Sequence, residues 1–325
     1  MSDNTNRVSR RQFLGKAGVT VGTVAAAGVL VGCSQQQAAP PASQGASQAT
    51  AAPAQGAVAA APVAKPASQG GPWGFGNQID EIKKRGKIII ACAMRYPPEM
   101  YRDPKTNEPA GYSIEVGKMI AKDLEVQIEW GDVEWDAQLP GLVAGKYDIV
   151  LNGIANRPSR AMAMQFTRGY VPYEQVLLVK ADAKEAPWQE WNTKGKKISA
   201  QEGATAEYRA REAFPNAEIV PLKNPEVMLE VAAGRADACL IEAYLAHPFA
   251  TNHPNTKVLK DPATGKPQSL ATEWGCIPVR PGEHAFMHYL DNWLAWYQDH
   301  GNLSALYEKT VGPTLRGEVT WEEKK

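Results

Sequence analysis

Two side chains of opposite charge, Arg160 and Glu242, follow two short apolar segments that are written in nearly the same way. Residues 144–151 read AGKYDIVL, and residues 233–240 read AGRADACL. In each segment, the pattern predicts a helix that ends at a left-handed glycine and a short strand after it. Ligands gather at the carboxyl ends of strands in α/β sheets. Two such units facing each other would place a cation and an anion across one cleft, which suits a ligand that carries both charges.

The chain beyond residue 79 alternates short β-rich runs with helical patterns. Strands are predicted at 87–92, 126–130, 147–151, 175–180, 197–200, 218–222, 237–241 and 274–280. Helices are predicted at 114–124, 139–143, 206–214, 225–233, 283–297 and 303–311. Alternation of this kind is typical of a mostly parallel α/β sheet, and the doubled segment predicts two such lobes.

The first 32 residues predict an export signal and not a part of the fold. Residues 9–16 form a twin-arginine motif, and a Gly/Ala/Val-rich stretch follows it. The segment that ends at Cys33 resembles a bacterial lipobox, in which the cysteine sulfur takes a diacylglycerol. The alternative is an ordinary cleavage site with an incidental cysteine. We expect a lipid-anchored protein outside the cytoplasmic membrane, in the periplasm or at the outer face of that membrane.

Residues 33–72 are dominated by Ala, Gln, Pro, Ser and Gly and predict a disordered tether. The whole chain has a net charge of zero. Residues 1–32 carry four basic residues and one acidic residue, so the chain without them has a net charge of about −3. No basic run or aromatic-basic patch is present, and nucleic-acid binding is therefore not expected.

Three further cysteines, Cys92, Cys239 and Cys276, each lie in an apolar, strand-like run. An exported chain could pair two of them, but one would remain over, so we expect three core cysteines in preference to a disulfide. The sequence has no nucleophile elbow, phosphate loop or zinc motif. No catalytic set, metal or cofactor is predicted.

One stretch resembles a known family. Residues 135–153, together with 157–161, 165–167 and Tyr170, look like the signature of the polar amino-acid type of extracellular solute-binding proteins, family 3. The likeness covers residues 79–313. It implies the type II periplasmic-binding-protein fold, which has two mostly parallel α/β lobes with flanking helices and two crossing hinge strands. The ligand of such proteins lies in the cleft, and an ABC permease with its ATPase is the partner.

The resemblance also implies how the chain divides into lobes. Residues 73–174 would form the first part of lobe 1, and residues 175–273 would form lobe 2. Residues 274–325 would return to lobe 1 and add the C-terminal helices. The crossings would fall near 173–176 and near 272–275. A monomer is expected.

The same resemblance assigns roles to single residues. Arg160 would fork onto the ligand's α-carboxylate, because a planar guanidinium offers two parallel donors, and Glu242 would take the ammonium group. Thr205 would direct its hydroxyl and a helix-start amide at the carboxylate, or serve as the N-cap of the helix. Tyr96 and Trp135 would flank the ligand with aromatic faces, the alternative being core aromatics.

Several positions depart from the family pattern. Ala155 stands where Ser or Thr is usual, so the carboxylate keeps only the backbone amides of Gly153 and Ala155 there. Ala93 replaces an aspartate of several relatives, and Glu99 stands where phenylalanine is common. A ligand with a basic side chain that an aspartate would bind is therefore not expected. The remaining candidates for the ligand are an aromatic or apolar amino acid, or another carboxylate. Arg157 is expected at the surface.

We therefore expect a binding protein that delivers an amino acid or a related small carboxylate to an ABC importer, and not an enzyme. One alternative is a cyclohexadienyl dehydratase-like enzyme of the same fold, with Glu242, Glu202 and Glu99 as possible acids. A second alternative is a ligand-sensing module of a membrane receptor.

Overall fold

The computed structural model describes residues 78–317. The twin-arginine motif, Cys33 and the predicted tether lie outside the described residues, as do residues 73–77 and 318–325. Within the described range, no helix combines the length and the apolar character that crossing a membrane requires.

The first lobe is built on a short parallel sheet. Its elements, in chain order, are α1 (Gln78–Arg85), β1 (Lys87–Cys92), β2 (Arg95–Tyr96), β3 (Met100–Arg102), β4 (Pro109–Ala110), α2 (Tyr112–Asp123), β5 (Gln127–Asp132), α3 (Trp135–Val143), β6 (Ile149–Val150), β7 (Ile154–Ala155) and α4 (Pro158–Ala161). Strand β1 lies between β5 and β6 and pairs with both in parallel. Strands β2, β3 and β4 form a small antiparallel sheet beside it.

The second lobe and the return of the chain contain the remaining elements. These are β8 (Gln165–Lys180), a 3₁₀ helix (Trp188–Trp191), β9 (Lys197–Gln201), α5 (Thr205–Ala213), β10 (Glu218–Leu222), α6 (Glu226–Ala232), β11 (Ala238–Glu242), α7 (Ala243–Asn252), β12 (Thr256–Val258), β13 (Ser269–Val279), α8 (His284–Asp299), α9 (Asn302–Thr310) and α10 (Gly312–Leu315). Strand β9 pairs in parallel with β10 and β11, and β8 adds to β11 as an antiparallel neighbour.

Two long antiparallel strands, β8 and β13, connect the lobes. The C-terminal part of β8 pairs with β11 in the second lobe, whereas β13 pairs with β7 in the first lobe through Gly275 and Cys276. The positions predicted for the crossings, near 173–176 and 272–275, fall inside these strands. The exact residues at which one lobe gives way to the other stay predictions.

The doubled segment folds twice into the same helix stop. Gly145 and Gly234 have φ values of 74° and 72°, which glycine adopts without a Cβ penalty. The Gly145 N–H donates to Leu142 O at 2.9 Å, and the next N–H, that of Lys146, donates to Gly141 O at 2.9 Å. The second copy repeats both bonds. This pair of hydrogen bonds is a Schellman motif, and it ends each helix so that the chain can turn into the strand that leads to the cleft.

The cores of both lobes are apolar, and the described cysteines belong to them. In the first lobe Ile90 and Ile120 are fully buried, and in the second lobe Ile198 and Leu240 are fully buried. Burial of one such side chain is worth about 1.5–3 kcal/mol. Cys92, Cys239 and Cys276 are all free and buried, so the prediction of core cysteines in preference to a disulfide is confirmed for these positions.

Candidate functional site

Six of the seven predicted ligand-binding residues line one pocket between the lobes, which we call the central pocket. They are Tyr96, Trp135, Gly153, Ala155, Thr205 and Glu242. The first four come from the first lobe. In the second lobe, Thr205 begins α5 after strand β9, and Glu242 is the last residue of β11. The carboxyl ends of the sheets thus meet at the cleft, as parallel strand ends do in other α/β folds.

Glu242 ends β11 and forms the N-cap residue of α7, with its side chain half-buried. Its Oε1 accepts a hydrogen bond from Gln175 Nε2 at 3.1 Å, and no basic side chain of the described residues pairs with it. Burial raises the pKa of the Glu242 carboxyl. The site therefore offers an anion that lacks a cation of its own.

Gln175, on the neighbouring strand β8, lines the same pocket and was missed by the sequence analysis. Its Nε2 donates a hydrogen bond to Glu242, while its buried Oε1 accepts no hydrogen bond from any described residue. A buried acceptor without a donor is costly, by about 1–3 kcal/mol. The pair Glu242 and Gln175 therefore presents two acceptors to a ligand that carries N–H donors.

Arg160 is the one predicted residue that does not line the central pocket. It lines an adjoining cavity, the outer pocket, which shares Tyr96 and Trp135 with the central pocket. Its Nη1 donates to Ala155 O at 3.0 Å and its Nη2 donates to Gly203 O at 2.9 Å, so the guanidinium touches both lobes. Burial and the nearby Arg157 lower the pKa of Arg160 to about 10. No carboxylate among the described residues neutralises it.

Arg157, which the sequence placed at the surface, makes a second contact between the lobes. Its Nη2 donates to Gly203 O at 3.1 Å and its Nη1 to Ala204 O at 3.4 Å. The guanidinium also lies over the Tyr208 ring, 5.5 Å from the ring centroid. The surface expectation is therefore wrong, because the loop before α5 approaches the first lobe closely enough to accept both arginines.

The two small residues of the first lobe have crowded surroundings. Gly153 has a φ of 57°, and its N–H donates to Tyr170 Oη at 3.3 Å. A Cβ at this position would lie 1.7 Å from Tyr173 Oη. Ala155 pairs with Gly275 of β13, and its carbonyl oxygen accepts from Arg160. Both residues are held in place by protein contacts at the wall of the central pocket.

Thr205 is the first residue of α5 and is buried against the central pocket. The N-cap residue is Ala204, and no side chain caps this helix, so the alternative role of Thr205 as N-cap is wrong. Instead, Glu207 Oε2 accepts from the Gly203 N–H at 2.8 Å. Because Ala204 and Thr205 line the central pocket at the start of α5, the positive end of the helix dipole lies beside the pocket.

The aromatic residues Tyr96 and Trp135 line both the central pocket and the outer pocket. Tyr96 is buried, and its hydroxyl accepts from Gln201 Nε2 of the second lobe at 3.3 Å. Trp135 begins α3 and is half-buried. Gln201 ends β9, so the rule that polar residues at strand ends form sites would have found it.

No cluster of His, Cys, Asp and Glu within residues 78–317 has the arrangement of a metal site. The charged groups of the central pocket are two glutamates, Glu242 and Glu273, and the latter pairs with Arg209. Charge complementarity at this site is therefore left to the ligand.

The chain matches the family described as bacterial extracellular solute-binding proteins, family 3, over residues 88–313. The chain belongs to this family. Members are extracellular, and the predicted type II periplasmic-binding-protein fold is confirmed by the solved structures that resemble this solute-binding protein.

Individual relatives bind several amino acids, according to their names. The glutamine-binding protein of Geobacillus stearothermophilus is 26% identical over 202 residues, which are 60% of this chain and 76% of the relative. The ABC transporter arginine-binding protein 1 of Escherichia coli (strain K12) is 25% identical over 224 residues, which are 69% of this chain and 90% of the relative. Among solved structures, an ancestral amino-acid-binding protein, a precursor of cyclohexadienyl dehydratase, is 30% identical with a TM-score of 0.62. That similarity covers 72% of this solute-binding protein and 100% of the ancestral chain.

Proposed function

We propose that this solute-binding protein captures one amino acid in the cleft, where the central pocket adjoins the outer pocket, and delivers it to an ABC importer. The observation that carries the proposal is the charge arrangement of the cleft. Among the described residues, Glu242 lacks a cation and the buried Gln175 Oε1 lacks a donor on one side, and Arg160 lacks a carboxylate on the other. An α-amino acid supplies both missing groups, because its ammonium and its carboxylate are attached to the same Cα.

In this arrangement the ammonium group donates to Glu242 and to Gln175 Oε1. The carboxylate accepts from Arg160, whose present partners are two neutral carbonyl oxygens. A carboxylate would outcompete them, because it adds the attraction between opposite charges and can accept two parallel bonds from the guanidinium. Thr205 at the start of α5 adds a hydroxyl donor. Tyr96 and Trp135 pack against the ligand's apolar atoms.

The proposed delivery takes place outside the cytoplasm. A twin-arginine signal would export the folded chain, and Cys33 would carry the lipid that holds it at a membrane. The proposed partners are an ABC permease and its ATPase, and the protein acts as a monomer with the lobe boundaries given above. Replacement of Cys33 by Ser is expected to release the protein into the soluble fraction, and loss of both Arg10 and Arg11 is expected to block export.

A thermal-shift screen over the twenty standard amino acids and cystine tests the binding function directly. A ligand that binds only the folded state stabilises it by RT ln(1 + [L]/Kd), so a true ligand raises the melting temperature in a concentration-dependent way. Calorimetry then gives the stoichiometry, which we expect to be one. The absence of any stabilising amino acid would contradict the proposal.

The screen is paired with an activity assay on prephenate and arogenate. We expect neither phenylpyruvate nor phenylalanine to form, because the proposed role is binding without chemistry. Turnover that disappears in a Glu242→Gln variant would replace the transport function with a dehydratase function.

A further inference from the structure

Glu99 is the most deeply buried acidic residue near the cleft, with 1% of its surface exposed. It lies between β2 and β3 in the first lobe. The Ser113 hydroxyl donates to its Oε1 at 2.8 Å, and the Tyr173 hydroxyl donates to both carboxylate oxygens. No site residue assigned above needs a carboxylate at this position.

The surroundings of Glu99 contain hydroxyl groups and a second carboxylate. The titratable groups that face it are Tyr112 from α2, Tyr170 and Tyr173 from β8, Glu242 from β11, Tyr244 from α7 and Tyr307 from α9. None of these is a cation. Burial raises the pKa of Glu99 to about 7, although hydrogen bonds from Tyr173, Ser113 and Tyr244 lower it.

Glu99 is separated from the ligand pocket by one layer of tyrosine. Tyr173 and Tyr244 both line the central pocket, and their rings pack with centroids 5.6 Å apart. Tyr173 belongs to the crossing strand β8, while Tyr244 belongs to the second lobe, two residues after Glu242. Glu99 therefore holds, from the first lobe, the hydroxyl group of a tyrosine on a crossing strand, and the ring of that tyrosine packs against a tyrosine of the opposite lobe.

The Glu242 carboxylate also repels the ionised form of the Glu99 carboxylate and so raises the pKa of Glu99. A ligand ammonium group placed at Glu242 would attract both negative charges. By linkage, a ligand that favours the ionised form of Glu99 promotes loss of its proton, and ionised Glu99 in turn strengthens ligand binding.

We propose that Glu99 is a positioning residue that couples ligand binding to proton release, by holding Tyr173, against which Tyr244 packs, at the back of the central pocket and adding a negative charge behind Glu242. This inference rests on the proposed amino-acid binding function. It assigns a role to a position where the sequence departs from the usual phenylalanine of the family.

The test measures affinity and proton release by titration calorimetry at pH 6 and pH 8, in buffers of different ionisation enthalpy. The probe is the amino acid that gives the largest thermal shift in the screen. For the wild-type protein we expect about fivefold tighter binding at pH 8 than at pH 6, which corresponds to a fall of about one unit in the pKa of Glu99 on binding, from a starting value of about 7. Net proton release should accompany binding between these pH values.

Two variants and one control isolate Glu99. In Glu99→Gln, binding should stay within about twofold of the wild type at pH 6, fall about tenfold behind it at pH 8 and lose the proton release assigned to Glu99. In Tyr173→Phe the carboxylate loses a donor, so the release should move to higher pH. Glu115→Gln, on α2 beside Lys118, should behave as the wild type.

The outcomes separate the two proposals. Equal pH dependence and equal proton release in the wild type and in Glu99→Gln overturn the coupling and leave the binding function intact, because the titration of Glu242 remains in both proteins. If no amino acid binds at either pH, the binding function fails and the coupling fails with it. A Glu99→Gln variant that binds weakly to the same degree at both pH values overturns the coupling in favour of a purely structural role.

Discussion

Arg160 Nη2 lies 2.9 Å from the carbonyl oxygen of Gly203, so the cation predicted to hold the ligand bridges the two lobes in the described structure. The same carbonyl oxygen also accepts from Arg157 at 3.1 Å. Two guanidinium groups thus share one neutral acceptor. An anionic ligand at this place would relieve the repulsion between the two cations and would draw the lobes together around itself.

Replacement of Arg160 by Ala is expected to weaken amino-acid binding by at least about two orders of magnitude, or about 3–5 kcal/mol. The loss arises because the ligand carboxylate would be left buried without its cation. Arg160→Lys keeps the charge but loses the planar pair of donors, so its affinity for the ligand should lie between that of the wild type and that of Arg160→Ala. Calorimetry with the amino acid found in the screen measures all three proteins.

Arg235→Ala provides the control for this series, because Arg235 is exposed and forms an ion pair with Glu230, away from the central and outer pockets. Its affinity should equal that of the wild type. If Arg160→Ala binds as tightly as Arg235→Ala, Arg160 takes no part in ligand binding.

Replacement of Glu242 by Gln should weaken binding and stabilise the ligand-free protein at pH 8. Burial raises the pKa of Glu242, so the folded state holds the proton more tightly than the unfolded state, and the ionised carboxylate lowers stability at alkaline pH. The neutral amide removes that penalty on folding. It also removes the charged partner of the ligand ammonium, which should cost about 1.5–3 kcal/mol of binding free energy. Thermal unfolding with and without ligand measures both effects, and a destabilised ligand-free variant would contradict the burial argument.

The ligand-free protein should lose stability between about pH 5 and pH 8 through Glu99. Its pKa is about 7 when folded, against the ordinary value of 4.5, so the folded state binds more protons than the unfolded state in this window. The full effect of a shift of this size is about 3 kcal/mol. Urea unfolding at pH 5, 6, 7 and 8 measures it.

Glu99→Gln is the comparison for that profile. Because the amide does not titrate, the stability of the variant relative to the wild type should rise with pH across the same window. Parallel profiles for the two proteins would mean that Glu99 does not titrate there.

The local patterns of this sequence predicted the sheets well, because each depends on short stretches. Strands β1 and β10 have the predicted bounds, and both glycines of the doubled segment adopt the left-handed conformation. Strand β8 was predicted from residue 175 but begins at Gln165. Gly169 and Pro172 interrupt the pattern there, and only the pairing with β13, a contact distant in sequence, extends the strand.

The candidate site was predictable where a residue directly follows a strand and unpredictable where the partner is remote. Glu242 and Gly153 stand at strand ends, and the family pattern names them. Glu99 and Tyr173 are 74 residues apart, and nothing in either neighbourhood indicates that their side chains meet. The contact of Arg157 with the loop at Gly203 depends in the same way on the approach of two lobes.

Gly153→Ala should be among the most destabilising single-methyl changes at the site. The new Cβ would lie 1.7 Å from Tyr173 Oη, at a φ of 57° that side chains rarely adopt. We expect a loss of stability of about 1 kcal/mol from the backbone conformation and a further loss of roughly 1–3 kcal/mol from overpacking.

Gly265→Ala is the control that separates the two effects, because Gly265 has a φ of 68° and open space where its Cβ would lie. Urea unfolding should show a small loss for Gly265→Ala and a clearly larger one for Gly153→Ala, together with weaker ligand binding in the latter alone. Equal losses in the two variants would mean that Tyr173 moves aside freely and that Gly153 does not hold the wall of the central pocket.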